Sequence, residues 1–307
     1  MGTWDRWIRQ PQGVWFRRAI FQVHLWSGIG LGLYLVVISI TGSILVFRSE
    51  LRQTFMPQPR YVEVVGERMN EEQILEAAQR AYPDATVSLF AERDNPQEAV
   101  TISVNRDGDV AQMLLDPFTG ADLGHAMPGG WRFTTWLLDL HDNLLSGDTG
   151  RSVNGVGAVL TTLLSLTGLV IWWPGVQSWR RSVLVDFRAN WRRFNWTLHS
   201  SIGFWTVLFI LMWGLTGIYL CFPEPFTAFV DYVEPFNEET FEDRTGDAVL
   251  YWFSRLHFGR FLGMTGKVVW AVVGLIPVAM FVTGLIMWWN RVVRPQEKAL
   301  RNAIVSS

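Results

Sequence analysis

His24 to Gly42, HLWSGIGLGLYLVVISITG, and His199 to Gly217, HSSIGFWTVLFILMWGLTG, decide the fold. Each stretch opens on a histidine, closes on a Thr-Gly step seventeen residues later, and holds no Asp, Glu, Lys or Arg. Seventeen residues of helix cover roughly 25 Å, close to the thickness of a hydrocarbon core. Two further runs of this kind occur, so that 19–47, 153–173, 202–222 and 268–289 are all free of formal charge and long enough to span a bilayer. The rest of the composition agrees: 49% of the residues are hydrophobic and 17 are Trp, more than a soluble chain of this length needs. The first run is too long for the apolar part of a signal peptide and ends on no small-residue cleavage site, so it reads as a retained helix.

Charge is sorted along the chain, although the net value is only -2. Arg6, Arg9, Arg17 and Arg18 precede the first run, Arg180, Arg181, Arg188, Arg192 and Arg193 lie between the second and third, and Arg291, Arg294, Lys298 and Arg301 follow the fourth. The connection between the third and fourth is instead acidic, with Glu224, Asp231, Glu234, Glu238, Glu239, Glu242, Asp243 and Asp247. Basic segments stay cytoplasmic, which puts both termini inside, and Trp172, Trp173, Trp288 and Trp289 end two runs at that same face, where indole rings favour the headgroup layer. The Arg-rich loop reads as a topology determinant and headgroup contact.

The one soluble-looking region follows the first run. EEQILEAAQRAY, Glu71 to Tyr82, carries apolar residues on one helical face, and Pro83 stops it. Val87 to Phe90, Ala99 to Val104 and Val110 to Leu115 read as strands, the last two joined by a turn containing Asp107-Gly108. A small α+β domain is therefore expected between the first two spans. The whole plan is 1–18 cytoplasmic, 19–47 span, 48–151 outer domain with an amphipathic segment, 152–173 span, 174–198 cytoplasmic loop, 199–222 span, 223–263 outer loop, 264–289 span and 290–307 cytoplasmic.

The spacing repeats. His141 precedes Thr167-Gly168 by twenty-six residues, and His257 precedes Thr283-Gly284 by the same number; both runs then end as GLVIWW and GLIMWW. A duplicated two-helix unit accounts for this, with the soluble domain inserted in its first copy. A lone histidine at a helix end is more often a hydrogen-bonded residue than a ligand, but four at matched positions reverse that preference, since ionisable groups in or beside membrane spans are costly. Topology sorts them into His24 with His199 near the inner face and His141 with His257 near the outer. Each layer offers two imidazoles on two helices and Thr-Gly glycines on the other two. Two axial nitrogens suit a six-coordinate haem, the glycines would let a macrocycle approach the backbone or simply let helices pack closely, and two haem b groups stacked across the bilayer would pass electrons between its faces. A zinc site would want three or four ligands at one place. Cys221 is the only cysteine, which excludes an internal disulfide, Cys-based clusters and covalent haem attachment. Gly28, Gly30 and Gly32 lie inside an apolar helix, out of context for a nucleotide loop, and no nucleic-acid motif occurs. His125 has no counterpart in the second copy; a place near a substrate is the functional reading open to it.

Taken together, VHLWSGIGLGLYLVVISITG (23–42), LLDPFTGADLG (114–124), LLDLHDNLLSG (137–147), FNWTLHSSIGFW (194–205) and RLHFGRFLG (255–263) resemble the PepSY-associated transmembrane helix family of bacteria, which includes iron-regulated membrane proteins and ferric-siderophore reductases. The resemblance implies a multi-pass protein of the bacterial inner membrane with a PepSY-like outer domain, haem b on His24, His199, His141 and His257, and reduction of ferric iron or a ferric siderophore at the periplasmic face. The flavin reductase domain fused to some members is not recognisable in this sequence, so the donor is expected to be a cytoplasmic flavoprotein or a quinol. Two other readings stand beside it: a haem-free protein whose outer domain binds a peptide or protease, and a haem-bearing subunit that feeds a different enzyme. The topology is checked with reporter fusions: alkaline phosphatase is expected to be active when fused after Gly66 or Glu238 and inactive after Val183 or Ser307, with a cytoplasmic fluorescent reporter giving the reverse.

Overall fold

The computed structural model describes residues 2–55, 61–91, 95, 97–127, 129–235, 244–261 and 263–296. Glu238, Glu239, Glu242, Asp243, Lys298 and Arg301 lie outside them. In chain order the helices are α1 (Thr3–Arg9), α2 (Trp15–Leu45), α3 (Arg48–Thr54), α4 (Glu71–Ala81), α5 (Gly129–Asn143), α6 (Gly147–Trp172), α7 (Trp179–Ser182), α8 (Trp191–Cys221), α9 (Pro223–Val233), α10 (Thr245–Phe258), α11 (Gly263–Gly274) and α12 (Ile276–Trp288). Between α4 and α5 come strands β1 (Thr86–Ala91), β2 (Val100–Arg106), β3 (Asp109–Leu115) and β4 (Asp122–His125). Two compact units result, Met1–Phe47 with Leu137–Ser307, and Arg48–Trp136, the boundary falling within α5.

The helical unit contains four helices long and apolar enough to cross a membrane: Trp15–Leu45, Gly147–Trp172, Trp191–Cys221 and Gly263–Gln296. Small residues let them approach. Gly32 lies against Phe281, Gly155 against Phe222, Gly157 against Tyr34 and Gly214 against Thr162, so α6 packs on α2 and α8, and α12 on the same two. Helical structure runs past the uncharged windows. α2 begins early enough to include Arg17 and Arg18, and α6 takes in Arg151, whose guanidinium donates to the Leu220 carbonyl at 2.7 Å.

The fourth span is interrupted. Pro277 has no amide proton, and Leu275 N–H turns to Val272 O at 3.2 Å, so the chain breaks into α11 and α12. A second corner precedes it. α10 ends on Gly259 at φ 65°, with Arg260 N–H reaching back to Arg255 O at 3.3 Å. A Cβ at Gly259 would stand 2.6 Å from the Trp270 ring, and the Trp270 indole donates to Leu256 O at 2.9 Å.

The second unit is a four-stranded antiparallel sheet in the order β1-β2-β3-β4, with α4 packed on it. Asn70 caps α4: its side chain accepts from Gln73 N–H, and Gln73 Oε1 accepts from Asn70 N–H, both at 2.9 Å. Asp107 and Gly108 join β2 to β3 as a two-residue turn at φ 54° and 95°, the positive values a tight hairpin requires. Ile74, Ala78, Val100, Ile102 and Leu115 form the core. β4 was not anticipated: it is four residues long, contains Gly124 and has no β-branched side chain, yet it pairs with β3 from Met113↔His125. Ile102→Ala is expected to weaken this unit by about 2–5 kcal/mol, read as faster amide hydrogen exchange across β2 and β3 with α2, α6, α8 and α12 unaffected.

Candidate functional site

Each of the four matched histidines hydrogen-bonds the threonine of a Thr-Gly step on a neighbouring helix. His24 Nδ1, in α2, lies 3.1 Å from both Thr167 Oγ1 and Leu164 O on α6. His199 Nδ1, in α8, lies 2.8 Å from Thr283 Oγ1 on α12. His141 Nδ1, in α5, lies 3.0 Å from Thr41 Oγ1 on α2, and His257 Nδ1, in α10, lies 2.9 Å from Thr216 Oγ1 on α8. The threonine hydroxyls spend their single proton on their own helices: Thr167 on Leu164 O, Thr283 on Ala279 O, Thr41 on Val37 O and Thr216 on Met212 O, at 2.7–2.8 Å. Each hydroxyl is thus left as an acceptor, and the ring nitrogen facing it must carry the hydrogen. That assigns the Nδ1–H tautomer to all four neutral rings. It leaves each Nε2 with a bare lone pair and, among the described residues, no hydrogen-bond partner, the state in which imidazole binds a metal.

The glycine of the step lies beside the ring, tightly at Gly42 and Gly168 and at ordinary contact distance at Gly284 and Gly217. A Cβ on Gly42 would stand 2.8 Å from His141 Cε1, on Gly168 3.0 Å from His24 Cε1, on Gly284 3.4 Å from His199 Cε1, and on Gly217 3.8 Å from His257 Cε1. Gly42 and Gly168 therefore stand against the histidine of a neighbouring helix, Gly217 stands nearest Ala158 on α6, and Gly168 and Gly284 also line a cavity with His24 and His199. At Thr41-Gly42 and Thr167-Gly168 the step is a seat for an imidazole: one residue orients it and the next gives it space.

The rings come together in pairs. The centres of His141 and His257 are 6.3 Å apart, with the planes at 60°. Two imidazoles sharing one metal through bonds of about 2 Å have ring centres roughly 6 Å apart. Both rings lie outside the four long apolar helices, and desolvation pushes both below the ordinary histidine pKa; in His257 the proximity of His141 lowers it further. His24 and His199 line one cavity of 790 Å³, together with Gly168 and Gly284. Among the described residues no three His, Cys, Asp or Glu side chains gather at one place, so a metal is offered pairs.

Asparagines that the sequence reading passed over hold this arrangement. Asn195, only 2% exposed, donates from Nδ2 to the Thr283 carbonyl at 2.9 Å, one turn ahead of His199. Asn154 Nδ2 donates to the His141 and Asp142 carbonyls at 2.7 and 2.9 Å, and its Oδ1 accepts from Tyr34 O–H at 2.8 Å. Asn154 alone lies inside an apolar run, where an amide needs a partner on another helix. His125 lies exposed in β4 of the other unit, and Cys221 is a free thiol.

No curated protein gives a significant match to the chain. The family described as the PepSY-associated TM region matches residues 21–245 and 234–291, a span that takes in all four histidines and all four Thr-Gly steps. The chain belongs to the PepSY-associated TM region family.

Proposed function

We propose that the protein is a haem-containing membrane electron carrier, with His24 and His199 as axial ligands of one haem b and His141 and His257 of a second. The observation that carries this reading is the 6.3 Å separation of the His141 and His257 rings, each held through Nδ1 by a threonine so that Nε2 is free to bind. The residues present fit the group. The cavity shared by His24 and His199 is bounded by apolar side chains such as Leu164, Val207, Phe281 and Leu285, and its volume falls in the range of cofactor pockets. Bound haem supplies a one-electron iron couple whose potential depends on its axial ligands and their hydrogen bonds.

What the chain contributes is placement. Thr41, Thr167, Thr216 and Thr283 fix ring orientation and raise the basicity of Nε2; Asn154 and Asn195 fix the helices that carry the rings. The same His–Thr contact at matched positions of both halves supports a duplicated two-helix hairpin with the PepSY-like unit inserted in its first copy. In the bacterial inner membrane, with both termini cytoplasmic, electrons would enter near His24 and His199 from a flavoprotein or a quinol. They would leave near His141 and His257 to a ferric siderophore or another periplasmic acceptor.

Purified protein from haem-supplemented expression is expected to be red, with a reduced-minus-oxidised spectrum of bis-imidazole haem and two haems per chain. His141→Ala and His257→Ala are expected to remove the same spectral component, and His24→Ala and His199→Ala the other. A colourless preparation overturns the reading and favours a haem-free binding module; loss of one component in both His24→Ala and His141→Ala overturns the pairing. Thr216→Val and Thr283→Val, which keep shape but remove the acceptor for Nδ1–H, are expected to weaken haem retention by about 10–100-fold, measured by transfer to apomyoglobin, with threonine-to-serine variants retaining most of the affinity.

A further inference from the structure

Among the described residues, the cavity shared by His24 and His199 is lined by four cations and no acid. Arg17 and Arg18 come from α2, Arg192 from the first turn of α8, and Arg291 from the segment that follows α12. A general need for positive charge at this end of the bundle does not explain the arrangement. Arg9, Arg180, Arg181 and Arg193 lie in the same flanking segments and are not among the lining residues; Arg193 faces Asp186 at 3.4 Å. Two of the lining arginines are held in place. Arg291 stacks its guanidinium 4.4 Å from the Phe21 ring centre. Arg17, partly buried, donates one terminal nitrogen to the Ile171 carbonyl, while its Nε is buried with no acceptor among the described residues. A buried charged donor without a partner carries its full desolvation penalty, and an anion brought to it removes that penalty.

We propose that Arg17, Arg18, Arg192 and Arg291 bind the two carboxylates of the porphyrin whose iron His24 and His199 ligate, so that the macrocycle sits with its acidic edge toward the Arg-rich end. The inference rests on the haem reading and adds orientation and selectivity to it. Guanidinium groups match carboxylates with paired, charge-assisted hydrogen bonds, and where no described lining residue is acidic those bonds are open to the ligand. The apolar body of the ring then lies against the helices, and the site selects a dicarboxylate porphyrin over an uncharged one of the same shape. An anionic lipid headgroup offers similar chemistry to these arginines, and the test separates it.

The experiment uses the full chain carrying His257→Ala, which isolates the inner site, prepared haem-free in phosphatidylcholine nanodiscs and titrated with haemin or with haemin dimethyl ester while the Soret band is followed. Haemin is expected to bind about tenfold or more tightly than the diester, the size of one lost charge-assisted contact. Arg192→Gln with Arg291→Gln, both at exposed positions, is expected to abolish most of that difference by weakening haemin alone; Arg17→Gln is expected to do the same. Equal affinity of haemin and diester in the parent and all variants, with a normal bis-imidazole spectrum, overturns the inference and leaves the haem reading standing. Binding of neither ligand overturns the haem reading itself. A preference for haemin that ignores the arginine variants, together with lipid binding that depends on them when phosphatidylglycerol is added, assigns the arginines to headgroups and overturns the inference as well.

Discussion

A hydrogen bond from imidazole Nδ1 to a threonine hydroxyl, made four times across helix interfaces, is the constraint on which the arrangement depends. Among apolar helices a histidine without a partner is costly. The threonine meets that cost and determines which nitrogen keeps its lone pair, because its own proton is already committed to the helix backbone. Helix packing, ring orientation and protonation state are therefore set by one contact. At Gly42 and Gly168 the adjoining glycine follows from the same requirement, since a hydroxyl in reach of the ring places the ring edge over the next residue of the helix.

Much of this was legible in the sequence because the repeat is one of spacing. Seventeen residues from His24 to Thr41 and from His199 to Thr216, and twenty-six in the other pair, mark the two ends of each contact without saying which residue touches which. Depth along a helix follows from rise per residue, so the assignment of His24 to the level of Gly168 needed only arithmetic. What the glycines are for did not follow, because a gap beside a helix can admit a macrocycle or simply a close neighbouring helix, and the placement of His141 Cε1 against Gly42 is not written in the spacing. Asn154 and Asn195 were missed for a different reason: an isolated amide has no period, and its meaning lies in a backbone carbonyl that is remote in sequence.

The helix limits show the same division between local and distant causes. Charge-free windows located the spans well, but α2 and α6 extend beyond them, because Arg17 and Arg151 find backbone carbonyls on neighbouring helices at Ile171 and Leu220. A hydropathy window treats such arginines as ends. In the soluble unit, the Asp107-Gly108 turn and the amphipathic α4 were written in local chemistry, whereas β4 exists only because β3 presents an edge to it.

The corner after α10 has a consequence for how His257 is held. With Gly259 in the left-handed region and Trp270 filling the space a side chain would need, the end of α10 is squared against α11, and the indole bond to Leu256 fixes the turn that carries His257. The bearing of that imidazole is thus taken from two sides, from Thr216 on α8 through the ring and from Trp270 on α11 through the backbone of α10. The other end of α10 is anchored as well, since Arg244 pairs with Asp231 and Asp247, Gly246 N–H donates to Glu234 Oε2 at 2.9 Å, and a Cβ at Gly246 would meet Val230; a helix clamped at both ends leaves the His257 ring little room to swing.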